Sequence, residues 1–493
     1  MASFKKKKIA IVGLGHSGLA LVKFLKSQGV KNIVGCDQET KPESLGEFQK
    51  LKIDFQLGKK YLKNLADFDL IFVSPGVPKD LPEIKKTKKQ GQEISSEIKL
   101  FFELCPAKII GITGTNGKST VTALLGEIFK ESKFKVFVGG NIGTPLIDRL
   151  DKIGKNDLVI LELSSFQLED LNKSPQVALL LNISPDHLDR YQSFEDYYQT
   201  KKNIIRFQGK DDFAILNFDD PLVLRLTPEV KSNIFPYSLR EKFKEGAYLE
   251  DNQIKVSFKG NEQIICSKEE IPLLGSHNIS NILASVSVAT ILLYRPPKAD
   301  EITPASPKLQ RGEPASPQRG EPASPNRGEQ EHEVRMGKIP PQLIRKAIIG
   351  FKGLEHRIEF VKEIKGVKYY NDSKSTTPES SLAALNSFPK GKIILIAGGY
   401  DKGADFSELG KTISQRAKSL ILIGKTADKI AGKVAEATKM TKVNSLKEAV
   451  LAAKNETKKG DIVLLSPACA SFDMFKNYEE RGNLFKKIVK KLN

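Results

Sequence analysis

The sequence predicts an α/β protein of three domains, each built on a mainly parallel sheet. Three observations support this prediction. Short apolar runs alternate with helical patterns along the 493 residues. Two of these runs lead into glycine-rich turns, and several others end at small or polar residues. Such alternation is typical of strand–helix–strand units, which place ligands at the carboxyl ends of parallel strands.

The first domain, residues 1–103, is expected to have a Rossmann-like fold. The strand Ile9–Val12 leads into the pattern Gly-x-Gly-x-x-Gly at 13–18, and a second strand ends at Asp37, nineteen residues after the last glycine. A third strand, Leu70–Val73, runs into a Ser-Pro-Gly turn. This spacing fits a dinucleotide site. An NAD(P)-dependent dehydrogenase is therefore an open alternative, although it would leave a second glycine loop unexplained.

That second loop opens the central domain, residues 104–297, which is expected to have a parallel sheet like that of P-loop ATPases. The strand 109–112 is followed by a glycine-rich turn at 114–117, and Lys118 and Ser119 then begin a helical pattern. Backbone amides of such a turn bind phosphate oxygens, the lysine reaches the terminal phosphates, and the serine can bind Mg²⁺. The loop is one residue longer than the usual P-loop pattern.

Two further side chains of this domain follow predicted strands. Glu162 ends an apolar strand, where a second Mg²⁺-binding acid would lie beside Ser119. His187 lies between Asp186 and Asp189. A metal or phosphate role and a purely structural role are equally open for this histidine.

A low-complexity segment covers residues 298–339. The tetrapeptide Pro-Ala-Ser-Pro begins at 304, 314 and 322, and each copy leads to Arg-Gly-Glu. Pro, Ser and Gly mixed with charges favour an extended, solvated chain. We interpret the segment as a disordered insertion in a surface loop, and a functional tether is the alternative.

The third domain, residues 340–493, is expected to be Rossmann-like again. Its strands Ile393–Ala397, Ser419–Ile423 and Ile462–Leu465 alternate with helical patterns. Lysines and hydroxyl side chains follow these strands. Such groups are suited to binding a carboxylate or a phosphate.

Composition limits the possible partners. The net charge is +19, but the lysines are spread along the chain without a basic, aromatic-rich stripe, so no nucleic-acid partner is expected. No stretch approaches the roughly 18 apolar residues of a membrane span, and the basic N-terminus leads into a strand rather than a signal sequence. Four scattered cysteines without metal-ligand spacing indicate a reducing compartment, so a cytoplasmic protein is expected.

Eight motifs occur in order along the chain: Gly111-Ile-Thr-Gly-Thr-Asn-Gly-Lys-Ser, Asn141-Ile-Gly, Glu162-Leu-Ser-Ser-Phe-Gln, Pro185-Asp-His-Leu-Asp-Arg, His277-Asn-x-x-Asn281, His356-Arg357, Asn371-Asp-Ser-Lys and Ser466-Pro-Ala-Cys-Ala-Ser. Together they resemble the Mur ligases of peptidoglycan synthesis. The resemblance covers the chain except about 298–337, and the longer phosphate loop is also this family's form.

The resemblance implies an activity and a domain plan. The N-terminal domain would bind a UDP-sugar, the central domain ATP, and the C-terminal domain an amino acid. It is closest to the branch that adds D-glutamate to UDP-N-acetylmuramoyl-L-alanine through an acyl phosphate. Another Mur-type ligase with a different amino acid is an alternative. These partners are small molecules, and a monomer without membrane association is expected.

The resemblance also implies sets of site residues. Those for ATP are Gly114, Thr115, Asn116, Gly117, Lys118, Ser119, Thr120, Asn278, Asn281, His356, Arg357 and Asp372. Those for the UDP-sugar are Leu14, Ser17, Asp37, Ser74, Pro75, Gly76 and Asn141. Those for the amino acid are Lys374, Thr376, Lys402, Ser471 and Phe472.

The implied catalytic residues are Lys118, His187 and Lys201. Two Mg²⁺ ions would be held by Ser119, Glu162, His187 and Lys201. In this family a lysine at the position of Lys201 is carbamylated and so becomes an anionic ligand. The adjacent Lys202 is an open alternative for that role.

Overall fold

The computed structural model describes residues 4–130, 132, 134–141, 143, 145–186, 190–293 and 341–493. Three sheets follow one another along the chain, which confirms the predicted three-part α/β organisation. The low-complexity segment 298–339 and the candidate ligand His187 lie outside the described residues. The domain boundaries after residues 103, 297 and 339 stay predictions.

The first sheet is parallel throughout. Its strands are β1 (Ile9–Val12), β2 (Ile33–Asp37), β3 (Asp54–Leu57), β4 (Leu70–Val73) and β5 (Glu93–Ser95), and its helices are α1 (His16–Ser27), α2 (Leu45–Lys50), α3 (Pro82–Lys89) and α4 (Glu97–Leu104). The strand order is β3-β2-β1-β4-β5. Every residue of the central strand β1 is buried. A strand that is buried on both faces is apolar throughout, and the sequence shows this as a continuous apolar run. The edge strands β3 and β5 are short and partly polar, and the sequence did not predict them.

The second sheet has nine strands. They are β6 (Lys108–Thr113), β7 (Val136–Gly140), β8 (Leu158–Glu162), β9 (Val177–Leu180), β10 (Phe213–Asn217), β11 (Asn233–Ser238), β12 (Gly246–Glu250), β13 (Gln253–Phe258) and β14 (Asn261–Ser267). The helices of this part are α5 (Lys118–Lys130), α6 (Ser165–Leu168), α7 (Phe194–Arg206), α8 (Pro221–Leu224), α9 (Ser276–Leu293) and α10 (Pro341–Gly350). The strand order is β14-β13-β12-β11-β10-β9-β6-β8-β7.

The central sheet is mainly parallel, as predicted, and is antiparallel at one edge. Strands β12, β13 and β14 pair antiparallel through two hairpins with two-residue loops. The loop residues 251–252 and 259–260 all have positive φ, as a type I′ hairpin turn requires. The remaining strands are parallel, and the carboxyl ends of β6, β8 and β9 meet at one edge.

The third sheet combines five parallel strands with one antiparallel edge strand. Its strands are β15 (Glu359–Ile364), β16 (Val367–Asn371), β17 (Ile393–Ala397), β18 (Ala417–Leu422), β19 (Lys439–Lys442) and β20 (Ile462–Leu465), and its helices are α11 (Pro378–Asn386), α12 (Ser407–Arg416), α13 (Ala427–Ala431), α14 (Leu446–Glu456) and α15 (Tyr478–Lys490). The order is β15-β16-β20-β17-β18-β19, and β15 is the antiparallel edge. The predicted strands at β17 and β20 are confirmed, and β18 begins two residues earlier than predicted.

The first two sheets share a hydrophobic core, whereas the third sheet has cores of its own. One continuous cluster joins buried residues of the first sheet to residues of the second, such as Val159 and Leu161. A 3₁₀ helix, Ile147–Lys152, packs against α1 and α4 at this junction. The third sheet has two clusters of its own, whose buried members all come from residues 364–492.

Helix α9 corrects the expectation that no segment could span a membrane. Its 18 residues reach a mean hydropathy of 1.3, which meets the length and composition of a spanning helix. More than half of the helix is buried inside the protein, where it packs on α5 and on the second sheet. Serines and asparagines interrupt the apolar residues of α9, so no continuous apolar run marks it in the sequence.

Candidate functional site

The phosphate-type loop lies between β6 and α5, as the sequence predicted. Gly117 has φ +89°, and a Cβ added there would lie 2.4 Å from Oδ1 of Asn281 on α9. Gly114 has φ +158°, and a Cβ there would lie 2.9 Å from the Cβ of Leu181. Both positions therefore require glycine, because any side chain would collide with its neighbours.

A polar side chain near the end of a predicted strand holds this loop. Asn182 lies two residues after β9, and its Oδ1 accepts from the amide of Asn116 at 2.8 Å while its Nδ2 donates to the Asn116 carbonyl at 3.0 Å. The amide of Thr115 donates to the Asn182 carbonyl at 2.9 Å. The loop is thus fixed to the carboxyl end of the neighbouring strand. The sequence shows that Asn182 follows an apolar run, but its contact with the loop is visible only in the structure.

Lys118 lies at the start of α5 and is directed back over the loop. Its Nζ donates to the carbonyls of Gly114 and Thr115 at 2.8 and 2.9 Å. Burial lowers the pKa of this lysine, while the nearby carboxyl groups of Glu162 and Asp186 oppose the shift. A cation in this place is suited to bind an anion at the loop. Ser119 and Thr120 follow it and are buried.

Glu162 ends β8, as predicted, and is 1 % exposed. Its Oε1 accepts from Nδ2 of Asn141 at 3.0 Å. Its Oε2 is buried and has no hydrogen-bond partner within the described part of the chain. A buried carboxylate oxygen without a partner is costly, and a cation bound there would remove that cost. No group of three His, Cys, Asp or Glu residues able to hold a metal occurs among the residues the structure covers.

Lys201, on α7, is 1 % exposed and faces the same site. Burial and the charge of Lys118 lower its pKa to about 7, and Asp186 opposes this shift. Its ammonium group lies 4.9 Å from the ring centre of Tyr197, one helical turn earlier. The hydroxyl of Tyr197 is hydrogen-bonded to that of Thr115 at 3.0 Å. Tyr197 therefore links the phosphate loop to the helix that carries Lys201.

The neighbouring Lys202 points elsewhere. Its ammonium group forms an ion pair with Glu229, away from the phosphate loop. Of these two lysines, Lys201 is buried on α7 together with Tyr197 and Ile204, and Lys202 is not. The structure thus brings Lys201, and not Lys202, together with Lys118.

Several residues of the C-terminal part approach the same site. Arg357 lies close enough to lower the pKa of Lys118, and Glu162 and Lys118 both influence the pKa of Lys374. His356 is buried. Asp372 accepts a hydrogen bond from the hydroxyl of Ser375 and another from that of Ser466, the latter at 2.7 Å. Burial raises the pKa of Asp372 to about 6.

The predicted nucleoside residues of α9 lie between these two groups. Asn281 donates to Oδ1 of Asn278 at 3.2 Å, and Asn278 donates to the Leu274 carbonyl at 2.7 Å. Burial lowers the pKa of His277, and the charge of Arg357 adds to this shift. The start of α9 therefore bridges the phosphate loop and the His356–Arg357 turn.

A cavity of about 630 Å³ is lined by the predicted UDP-sugar residues, among them Asn141, the hydrogen-bond partner of Glu162. Its lining includes Leu14, Ser17, Asp37, Ser74, Pro75, Gly76 and Asn141. Asp37 accepts from the amides of Leu14 and Glu39 at 2.7 and 2.9 Å, so it orders the glycine loop. The Ser74 hydroxyl donates to the Gly13 carbonyl at 2.8 Å.

The predicted amino-acid residues are spread over three loops of the third sheet. Lys374 lies 5.4 Å from the ring centre of Tyr478, and Lys402 lies 5.7 Å from that of Phe472. Phe472 is 61 % exposed, whereas Ser471 is buried and Thr376 is half-buried. The structure brings Lys374 towards the phosphate loop, and Lys402 lies with Phe472 on the exposed side.

Arg481, on α15, is a buried residue that no sequence motif indicated. Its guanidinium group donates to the hydroxyl and the carbonyl of Ser373 at 2.9 and 2.8 Å, and to the Cys469 carbonyl at 3.1 Å. It therefore joins the loop of Lys374 to the loop of Ser471. Its partner Ser373 is 108 residues away in sequence, so no local pattern could reveal it.

Three family models match the chain in succession. They are described as a Mur ligase MurD-like N-terminal domain, a Mur ligase middle domain and a Mur ligase glutamate ligase domain, and they match residues 7–96, 112–289 and 356–469. The first match favours a Mur ligase over a dehydrogenase for the first sheet.

Curated relatives match over nearly the full length. UDP-N-acetylmuramoylalanine–D-glutamate ligase of Acetivibrio thermocellus is 40% identical over 98% of this chain and 96% of its own. The enzyme of the same name from Thermoanaerobacter sp. is 40% identical over 99% of both chains.

Solved structures share the fold. The UDP-N-acetylmuramate–alanine ligase MurC of Thermotoga maritima has a TM-score of 0.57 and 18% identity, over 98% of this chain and 99% of its own. The MurF ligase of Thermotoga maritima, in complex with ADP, has a TM-score of 0.54 and 17% identity, over 98% and 94%. At this identity the similarity supports the three-part fold alone.

Proposed function

This chain belongs to the Mur ligase family, and from that premise we propose that it joins D-glutamate to UDP-N-acetylmuramoyl-L-alanine at the expense of ATP. The observation that carries the proposal is the convergence at the carboxyl edge of the second sheet. There Lys118, Glu162 and Lys201 lie near the cations of the third sheet, and Asn141, the partner of Glu162, lines a large cavity. Two relatives with this activity in their names are 40% identical along the chain.

ATP is assigned to the space between the phosphate loop and the His356–Arg357 turn. The loop amides from Gly114 to Thr120 and the ammonium group of Lys118 would bind its phosphates. Asn278, Asn281, His356, Arg357 and Asp372 would surround its nucleoside. Support comes from the position of α9, which contacts the glycine loop through Asn281.

Mg²⁺ fits the residues beside this loop. The partnerless Oε2 of Glu162 and the buried hydroxyl of Ser119 are oxygen donors of the type that Mg²⁺ prefers. When bound, the ion would neutralise charge on the phosphoryl group being transferred. A second ion is assigned to His187 and to a carbamate on Lys201.

The carbamate is supported by the state of the Lys201 amine. Carbamylation joins a neutral amine to CO₂ and releases one proton, and a pKa of about 7 leaves much of the amine neutral at physiological pH. The product is an anion next to Lys118, so it would also remove the repulsion between the ammonium groups of Lys118 and Lys201.

The reaction follows from positions and charges. An oxygen of the substrate carboxylate attacks the γ-phosphorus of ATP, the bond to the β,γ-bridging oxygen breaks, and ADP leaves. The amine of D-glutamate then attacks the carbonyl carbon of the acyl phosphate, loses a proton, and phosphate departs as the amide forms. Lys118 stabilises negative charge on the phosphates, and the loop amides align the transferring phosphoryl group.

The other two substrates are assigned to the flanking sites. The UDP-sugar is assigned to the cavity lined by Leu14, Ser17, Asp37, Ser74, Pro75, Gly76 and Asn141. The carboxylates of D-glutamate are assigned to Lys374, Thr376, Lys402, Ser471 and Phe472. Tyr478, whose ring lies under Lys374, adds a polar group to that pocket.

We further propose a cytoplasmic monomer without a nucleic-acid or membrane partner. All four cysteines are free, as expected in a reducing compartment.

The proposed function is tested by measuring phosphate release with the UDP-sugar substrate and a panel of D- and L-amino acids. Release is expected only when UDP-N-acetylmuramoyl-L-alanine and D-glutamate are both present. Release with another amino acid would indicate a different Mur-type ligase. A protein that binds NAD(P) and leaves ATP intact would instead support the dehydrogenase alternative.

The Pro-Ala-Ser-Pro repeats provide a separate prediction. Deleting residues 304–329 is expected to leave kcat and the three KM values within about twofold, because low-complexity surface insertions are well tolerated. The control replaces the same residues with a Gly/Ser linker of equal length. If the deletion lowers activity strongly and the linker variant restores it, the segment has a length requirement. If both variants lose activity, the repeats themselves take part in function.

A further inference from the structure

The turn that presents Arg357 has an unusual backbone. The residues on either side of it, His356 and Ile358, have φ values of +64° and +44°. This left-handed region is disfavoured for all residues except glycine, and most strongly for a β-branched residue such as isoleucine. Such a conformation persists only when its surroundings hold it in place.

Two carboxylates of the third sheet hold this turn. Oε2 of Glu359 accepts from the amide of His356 at 2.9 Å, and Oδ1 of Asp372 accepts from the amide of Ile358 at 3.1 Å. The carbonyl of His356 accepts from the amide of Lys374 at 3.0 Å. Asp372 already belongs to the proposed nucleotide site, whereas Glu359 has no assigned role.

Glu359 connects the turn to two other elements. The same Oε2 accepts from Nδ2 of Asn371, at the end of β16, at 3.0 Å. Its Oε1 pairs with Lys486 of α15 at 3.1 Å, and Lys486 also pairs with the exposed Glu355 at 3.2 Å. On the same helix Gly482 lies so close that an added Cβ would be 2.2 Å from Nδ1 of His356.

The turn presents Arg357, whose side chain is exposed. Its charge acts on Lys118 of the phosphate loop, on His277 of α9 and on Lys374. We propose that Glu359 is a positioning residue: by accepting the His356 amide and the Asn371 side chain, it fixes the left-handed turn that aims Arg357 at the nucleotide. This inference rests on the proposed function, since it takes ATP as the ligand of Arg357.

The test compares variants of the full-length protein in the ligation assay and in ADP binding by calorimetry. Glu359→Ala removes the acceptor, and we expect KM for ATP and Kd for ADP to rise about tenfold, the usual scale for losing a group that orients a ligand-binding residue. Glu359→Gln keeps one oxygen for the His356 amide but loses the ion pair with Lys486. Its KM for ATP and Kd for ADP are expected within about threefold of the wild-type values.

Two controls separate the turn from the ion pair. Glu355→Gln and Lys486→Met disturb the same ion-pair cluster without removing the acceptor for His356, and both are expected to leave KM for ATP nearly unchanged. If Glu359→Ala does not fold, as judged by thermal denaturation, Glu359→Asp replaces it, because the shorter side chain withdraws the acceptor and keeps the charge.

A double-mutant cycle with Arg357→Ala decides the mechanism. If Glu359 acts through Arg357, the double variant will bind ADP no more weakly than Arg357→Ala alone. If the fold increases in Kd for ADP of the two single variants multiply in the double variant, the inference is overturned. Equal increases in KM for ATP in Glu359→Ala and Lys486→Met would also overturn it. An unchanged KM in folded Glu359→Ala would remove the inference and leave the proposed function intact. An unchanged KM in Arg357→Ala would remove the ATP assignment of that arginine, while D-glutamate-dependent phosphate release independently decides the proposed function.

Discussion

Lys118→Ala is expected to lower turnover by about a thousandfold or more. Charge stabilisation at a transferring phosphoryl group is worth about this much when a single cationic or donor group is removed. Lys118 is the half-buried cation of the phosphate loop, and its ammonium group is already held against two loop carbonyls. Phosphate release under saturating substrates measures the effect.

Lys130, at the other end of the same helix, provides the matched control. Its side chain is 71 % exposed and pairs only with Glu127 one turn earlier within the described residues. Lys130→Ala removes the same charge from α5 and should keep turnover within about twofold. If Lys118→Ala also retained turnover within tenfold, the phosphate role of the loop would have to be abandoned.

Lys201→Met is expected to reduce turnover by at least about a hundredfold, the scale reported for loss of a metal-site group. The adjacent Lys202→Met should have little effect, because that lysine is paired with Glu229 outside the site. The same two variants also distinguish the carbamate: [¹³C]bicarbonate should give a carbamate NMR signal in the wild type and in Lys202→Met, and none in Lys201→Met.

The pH dependence of that signal has a definite sign. The pKa of Lys201 is lowered to about 7, so the amine is largely neutral above that pH and protonated below it. Because carbamylation consumes the neutral amine and releases a proton, the carbamate should diminish as the pH falls below about 7. A signal and a turnover that both persist unchanged at pH 6 would contradict the assignment.

The sequence revealed those parts of the fold and site whose information is local. Buried strands such as β1, β6 and β17 are continuous apolar runs, and they were predicted within one residue at each end. Edge strands such as β3 and β19 carry polar side chains on their solvent side, so no apolar run marks them. The hairpins of β12–β14 depend on turn residues with positive φ that were not recognised.

The same distinction applies to the site. Lys118, Ser119 and Glu162 follow strands in recognisable linear patterns, and the structure brings them together. Asn182 contacts a loop 66 residues away, and Glu359 and Arg481 act through partners on separate strands and helices. Their importance depends on tertiary contacts that a single sequence does not display.

The partition of the hydrophobic cores has a kinetic consequence. Because the first two sheets share one core, the proposed UDP-sugar cavity and the phosphate loop belong to one packed unit. The third sheet has cores of its own and carries the proposed amino-acid residues and the Arg357 turn. We therefore expect an ordered addition of the three reactants, in which the acid is activated on the packed unit before the third sheet supplies the amine.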